Sequence, residues 1–372
     1  MSARPTILVV SNHGEIVGGG EISLLTLLGG LDRSRWEPIL VVPGDGEMAA
    51  RGRSLGVAVE VVPLPSVRRP TLDVLQGYTS LRRLVRSRGA NLLHANGSRA
   101  MLYAGPVGRI TGRPVIWHVR IADPEPFLDR ALLWLADAVV VNSGAVARRF
   151  SWAPAEKIRC IHNGVDLSRF SPRLPSDGLR ASLGIPERAP VVGSVGRFVP
   201  FKGYRVLLEA ARVVAETLPG VHWLLVGDGE QRGELEAYCN VLGLGSQVRF
   251  VGWREDVPEI LALCDVFALP SLGEHFGRVL IEAMAMAKAV VATDAGGVPE
   301  IVVHDECGLL VPPGEPQAMA EALLALLCNP ARSARLGQAG RRRAEARFSI
   351  ARHVEAVETV YAKMRTARRG YL

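Results

Sequence analysis

The 372-residue chain is 48% hydrophobic and 22% charged, with a formal net charge of +7. That apolar fraction excludes a disordered chain, and the length exceeds what one core usually serves, so two domains of about 180 residues each are predicted. Cys160, Cys239, Cys264, Cys307 and Cys328 show no CxxC spacing, which gives neither a zinc site nor a disulfide framework and fits a reducing cytoplasm.

The opening, MSARPTILVVSN, has a short apolar run that ends in polar residues and glycines, unlike a secretory leader. No stretch approaches the roughly 18 to 20 apolar residues that span a bilayer. The first half then alternates short β-branched runs with helical stretches, at 6–12, 38–44, 57–64, 91–97, 114–120, 138–144 and 157–164. Such a rhythm predicts βαβ units and a parallel sheet. Residues 1–180 carry 23 Lys and Arg against 15 Asp and Glu, so the basic surplus belongs to this half. Much of it lies in Arg68, Arg69, Arg82, Arg83, Arg86 and Arg88, around the helical run TLDVLQGYTSLRRLVRSR, a pattern that fits peripheral contact with an anionic membrane. The plainer alternative is a solvated face in a chain that uses 40 Arg and four Lys. Nucleic acid is not an expected partner, because the basic residues are not interleaved with stacking aromatics.

Around residues 165–190 the rhythm breaks into a stretch rich in Pro, Ser and charge, the expected interdomain linker. Strand candidates resume at 191–196, 222–229, 247–252, 266–271, 289–294 and 308–312. After residue 314 the pattern is helical throughout, and the last helix is expected to cross back to the first lobe. The predicted division is 1–180 for the first lobe, 181–350 for the second and 351–372 for the returning helix. The fold class is α/β, with two Rossmann-like parallel-sheet lobes.

Ligands of open parallel sheets gather at the carboxyl ends of strands, which directs attention to the residues just past each one. After the first strand, HGEIVGGGE offers Gly18, Gly19 and Gly20, either as a backbone that lets a phosphate or sugar approach or as an ordinary tight turn. The second lobe opens with VGSVGRFVPFKG, where Arg197 and Lys202 follow a strand and precede a helix. Two cations so placed can hold a diphosphate and stabilise its growing charge as it leaves. In SLGEHFGRVLIEAMAMA, Glu274 falls in a loop and Glu282 two turns into a helix, where a buried face normally carries an apolar residue. A carboxylate there calls for a hydroxyl or amide partner, or else is a charge favoured by the helix dipole. Between them the backbone amides of Phe276, Gly277, Arg278 and Val279 open the helix and suit a phosphate. In the first half His118 ends the strand PVIWHVR, as a functional group or a satisfied structural one, with His94 and Asn96 as lesser candidates. Asn142-Ser143 and Asn163-Gly164 are read as turn formers.

These residues together resemble the retaining glycosyltransferases of family 4, which have the GT-B fold. The resemblance rests on GGGE at 18–21, WHVR at 117–120, NGVD at 163–166, GRFVPFKG at 196–203, GDGE at 227–230, the EX7E pattern from Glu274 to Glu282, and GGVPE at 296–300. It implies two lobes facing a central cleft and transfer of a hexose from a nucleoside diphosphate sugar to a hydroxyl acceptor, lipid-linked or small, with retention and without metal or cofactor. Arg197 and Lys202 would bind the donor diphosphate, Glu282 the ribose and Glu274 the sugar hydroxyls, with help from the amides of 276–279. His118 would line the transferred sugar and acceptor, and Gly18 to Gly20 would cover the phosphates. No Asp-x-Asp run is present for a divalent cation. A nicotinamide oxidoreductase is excluded by the lack of GxGxxG after the first strand. A sugar phosphorylase is disfavoured by the scarcity of lysine, and a non-catalytic nucleotide-sugar binder is the remaining alternative.

Overall fold

The computed structural model describes residues 4–67, 71–173, 176 and 178–367. The chain divides into two compact units, Met1–Gly164 with Ile350–Leu372, and Val165–Ser349. Among the described residues no helix is long and apolar enough to cross a membrane.

Among the described residues the first unit is built on seven parallel strands: β1 (Thr6–Ser11), β2 (Glu37–Val42), β3 (Ala58–Val61), β4 (Leu92–Asn96), β5 (Val115–Val119), β6 (Ala138–Val141) and β7 (Ile158–Cys160). They lie in the order β3-β2-β1-β4-β5-β6-β7, so the strand order reverses between β1 and β4. Helices cover both faces, which is why the central strands read as unbroken apolar runs and not as alternating ones. Leu8, Val10 and Leu93 pack on one side with Tyr103 and Trp117, whereas Ile7, Val9 and Ile116 pack on the other with Leu24, Leu28 and Trp36.

The helix Ile350–Ala367 belongs to this unit, where Val354, Val357, Val360 and Tyr361 join the second of those cores. Its Glu358 is buried yet satisfied: one oxygen accepts the Asp32 backbone N–H at 2.9 Å and the other meets Arg35 Nη1 at 2.7 Å. A second buried charge pair joins Asp129 on the helix Pro126–Leu135 to Arg149, through Nη2 at 2.6 Å and Nε at 2.9 Å. Arg149 also donates to the Ile121 carbonyl at 3.0 Å, which ties down the chain as it leaves β5.

The second unit holds β8 (Val191–Val195), β9 (His222–Val226), β10 (Val248–Gly252), β11 (Val266–Leu269), β12 (Ala289–Thr293) and β13 (Leu309–Val311), all parallel, in the order β10-β9-β8-β11-β12-β13. Here the reversal falls between β8 and β11. Three helices, Pro316–Leu327, Pro330–Arg347 and Ile350–Ala367, follow the last strand.

The unit boundary falls after Gly164, and not near residue 180 within the Pro- and Ser-rich stretch. Val165 pairs with Ser349, and Phe170 is buried in the same core as Phe276 and Phe348, so the segment after Gly164 is already part of the second unit. Composition located a break in the βα rhythm there, but two buried apolar side chains decide where the unit begins.

Candidate active site

In the second unit the key loops follow β8, β11 and β12, around the point where strand order reverses. The β8 strand runs into Gly196 and Arg197, and a short turn at Pro200–Lys202 leads into the helix Tyr204–Thr217. Gly203 sits at φ 68°, and a Cβ there would lie 2.1 Å from the Pro270 carbonyl oxygen. Only glycine permits that approach. The Leu272 amide donates to the Phe201 carbonyl at 2.8 Å, so the two loops are joined along the backbone. The result is that Lys202 Nζ stands 2.5 Å from Glu274 Oε2, and Ser271 Oγ donates to that same oxygen at 3.1 Å. Lysine and glutamate side chains are 16% and 8% exposed, so solvent screens the pair only weakly. The Arg197 side chain is exposed and has no hydrogen-bond or ion-pair partner among the described residues. The GDGE motif supports its turn, with the Phe198 amide donating to the Asp228 carbonyl at 2.9 Å.

The GGVPE segment has an equally local purpose. Gly296, at φ 58°, lies so close that a Cβ would come within 1.8 Å of the Glu274 carbonyl oxygen, and the Gly297 amide donates to that oxygen at 2.8 Å. The loop after β12 thus fixes the main chain of Glu274, and this is why the two motifs are placed together in space. Gly277 precedes the helix Arg278–Ala285, whose first amides have no partner within the helix. The Phe276 ring is buried against Phe348, centroids 6.1 Å apart, so Phe276 offers a ligand its main chain only. Glu282 is buried, with Oε1 held by Arg278 Nη1 at 2.7 Å, a partner that spacing had not assigned to it. Burial raises its pKa, and the nearby Arg278 and Arg169 charges oppose the rise.

In the first unit His118 lies inside β5 and is fully buried. Its Nδ1 is 3.2 Å from His94 Nε2 and 3.4 Å from Arg120 Nη2, and its Nε2 has no hydrogen-bond partner among the described residues. His94 Nδ1 meets the Tyr361 hydroxyl at 2.6 Å. Arg120 donates from Nε to Asn96 Oδ1 at 3.1 Å and from Nη1 to Asn163 Oδ1 at 2.6 Å, so Asn163 is an acceptor for that guanidinium and not only a turn former. A Cβ on Gly20 would stand 3.5 Å from Arg120 Cδ, which places the GGGE loop, at the start of the helix Gly19–Gly30, beside the same arginine. Burial, with Arg120 adding to it, lowers the His94 pKa to about 3 and drops His118 well below the usual imidazole range. His353 falls to about 4 for the same reasons. This group is therefore a set of neutral imidazoles around one fixed cation.

Sequence reading missed Arg120, His353 and Tyr361. Arg120 had a usable signal, since it is two residues beyond His118 and ends WHVR. Tyr361 and His353 had none, because they come from the terminal helix, 267 and 191 positions from their hydrogen-bond partners His94 and His162.

The comparisons with known proteins agree with this architecture. The model "Glycosyltransferase Family 4" matches residues 17–169, and "Glycosyl transferases group 1" matches 176–343. The structure of Anabaena Alr3699/HepE in complex with UDP-glucose superposes with a TM-score of 0.85 at 30% identity, covering 96% of this chain and 99% of that one. The lipopolysaccharide core biosynthesis glycosyltransferase LpsE of Rhizobium meliloti is 35% identical over 231 residues, 61% of this chain and 64% of its own. A D-inositol 3-phosphate glycosyltransferase of Saccharomonospora viridis is 35% identical over 250 residues, 63% and 57% of the respective chains. The aligned stretch is thus less than two thirds of either curated relative. The chain belongs to glycosyltransferase family 4 and has the GT-B fold.

Proposed function

We propose that this protein is a retaining hexosyltransferase that takes a nucleoside diphosphate sugar as donor and a hydroxyl group as acceptor, with no metal ion and no cofactor. The observation that carries the reading is the Lys202–Glu274 pair with the unpaired Arg197 nearby in sequence, on loops at the carboxyl ends of β8 and β11. Arg197 and Lys202 hold the diphosphate and neutralise its charge as the C1–oxygen bond breaks. In that state Glu274 releases part of its hold on Lys202 and accepts from sugar hydroxyls. Glu282, already held at one oxygen by Arg278, keeps the other for the ribose. The amides of Phe276, Gly277, Arg278 and Val279 meet phosphate at the helix N-terminus. In the first unit, the family pattern gives His118 the transferred sugar and acceptor, and Gly18, Gly19 and Gly20 the phosphates.

The chemistry is a front-side displacement. The acceptor oxygen bonds to C1 on the face the phosphate leaves, and the acceptor proton passes to the departing phosphate oxygen. Cation placement is the largest protein contribution, since one well-placed group of this type is worth about 2.7–4 kcal/mol. Alr3699/HepE has been crystallised with UDP-glucose, which makes that donor the first to test. Slow release of UDP from UDP-glucose, unaffected by EDTA and lost in Lys202→Ala, is expected. Binding without any turnover, unchanged in Glu274→Ala, would make the protein a nucleotide-sugar binder.

For the acceptor we favour a lipid-linked or surface glycan, reached from the cytoplasmic side of a membrane. The helix Leu72–Ser87 exposes Leu72 and Leu75 together with Arg82 and Arg86, at a spacing that puts them on one face, although Arg68 and Arg69 lie outside the described residues. LpsE, by its name, acts in lipopolysaccharide core biosynthesis. Sedimentation with anionic vesicles at low salt, and release at high salt, is the expected behaviour; equal indifference to neutral and anionic vesicles refutes the membrane part.

A further inference from the structure

The His118 environment fixes more than its position. An arginine guanidinium has donors only, so Arg120 Nη2, 3.4 Å from His118 Nδ1, requires that nitrogen to be an acceptor. His94 Nε2 faces the same acceptor at 3.2 Å and must therefore carry a hydrogen. A neutral His94 with hydrogen on Nε2 has a lone pair on Nδ1, and there the Tyr361 hydroxyl, 2.6 Å away, donates. The direction of every bond in the row follows: Tyr361 O–H to His94, His94 N–H to His118. His118, an acceptor at Nδ1, holds its own hydrogen on Nε2, the buried atom with no partner among the described residues. The opposite direction would set a His118 N–H against the guanidinium.

We propose that Tyr361 and His94 are positioning residues that lock His118 in the Nε2–H tautomer, so that it presents a hydrogen-bond donor, and not a base, to an oxygen of its ligand. The proposal rests on the reading that His118 contacts substrate. It gives the terminal helix a part in that contact, because Tyr361 is brought to β4 only by the packing of Ile350–Ala367 in this unit. The Tyr361 ring is held edge-on to Trp36 at 5.6 Å, which fixes the hydroxyl. A hydrogen-bonded row of this kind polarises along its length and strengthens the terminal donor. It also agrees with a reaction in which the departing phosphate, and not an imidazole, takes the acceptor proton.

His353 supplies an internal contrast. Its Nδ1 faces the His162 carbonyl oxygen at 2.7 Å, so it must donate there and keep a lone pair on Nε2. Histidine-selective 15N labelling with two-bond proton–nitrogen correlation reads each tautomer directly. In the unliganded protein, His94 and His118 should show a protonated Nε2 and His353 a protonated Nδ1, with signals assigned from single His→Gln variants. A His118 with hydrogen on Nδ1 overturns the proposal whatever the protein catalyses. In Tyr361→Phe, His94 should lose its fixed tautomer, and kcat for UDP-glucose turnover should fall about threefold to tenfold, the worth of one neutral hydrogen bond, at constant KM. Imidazole signals unchanged by that substitution, or an effect on KM alone, also overturn it. Should Tyr361→Phe not fold, the wild-type spectrum decides. The substrate reading is tested separately by adding UDP-glucose: tautomers as stated with no response at His118 would keep the row and remove the ligand contact.

Discussion

The two units solve the problem of holding polar groups in opposite ways. In the second, charged side chains stand on short loops whose glycines let the backbones touch, and Lys202 and Glu274 neutralise one another. In the first, the polar groups are inside the sheet, with His94 and His118 on adjacent strands, fully buried and kept neutral by that burial. The loop charges of the second unit stay available, whereas the buried row of the first keeps direction. Loop charges can be exchanged for ligand charges at little cost in folding, but a buried row loses both stability and orientation when one member changes.

The comparison can be broken most strongly at the support of the buried set. Asp129→Ala leaves Arg149 buried without its bidentate partner and should lower unfolding stability by about 3–5 kcal/mol, measured by urea titration. A loss under 1 kcal/mol would mean that the chain after β5 is held by other contacts. On the second unit, Lys202→Ala should reduce turnover roughly 100- to 1000-fold, about 2.7–4 kcal/mol in barrier, with stability nearly intact. If it destabilised the fold as much as Asp129→Ala does, the contrast between loop charge and buried charge would collapse.

Gly296→Ala tests the loop geometry itself. The left-handed backbone alone costs about 1–2 kcal/mol for a residue with a Cβ. The close approach to the Glu274 carbonyl adds to it, so turnover should fall together with stability. Wild-type turnover in Gly296→Ala would show that the main chain at Glu274 need not be fixed.

The smallest effect, taken per group and per pH unit, is the pH dependence of the histidine set. His94 and His353 have folded pKa values lowered to about 3 and about 4 from the ordinary 6.5, so the unfolded chain binds their protons first as pH falls. Stability is full above about pH 6.5 and declines below it, by up to about 1.4 kcal/mol per pH unit for each histidine, until the folded pKa is reached. Urea midpoints at pH 7.5 and pH 5 measure this. A flat profile, or stability that rises on acidification, contradicts neutral burial.

Much of the second unit's site was legible because its requirements are local. A glycine beside a cation, an acid eight residues before another and a GGVPE run each state a backbone or charge need within a few positions, and the structure brings these segments together. The strands were legible too, since helices on both faces of a parallel sheet demand continuous apolar runs. The Glu282–Arg278 pair lies within one helical turn and is visible in principle, since the two residues are four positions apart.

The sequence alone therefore determined the α/β class, the two sheets and the loop residues of the second unit, because propensity, periodicity and glycine placement act over short stretches of chain. Tertiary structure alone decided the unit boundary at Gly164, the Asp129–Arg149 pair and the Tyr361–His94–His118 row. Each depends on which side chain meets which across tens to hundreds of residues. A histidine's proton is assigned by its neighbours in space, and no spacing along the chain records them.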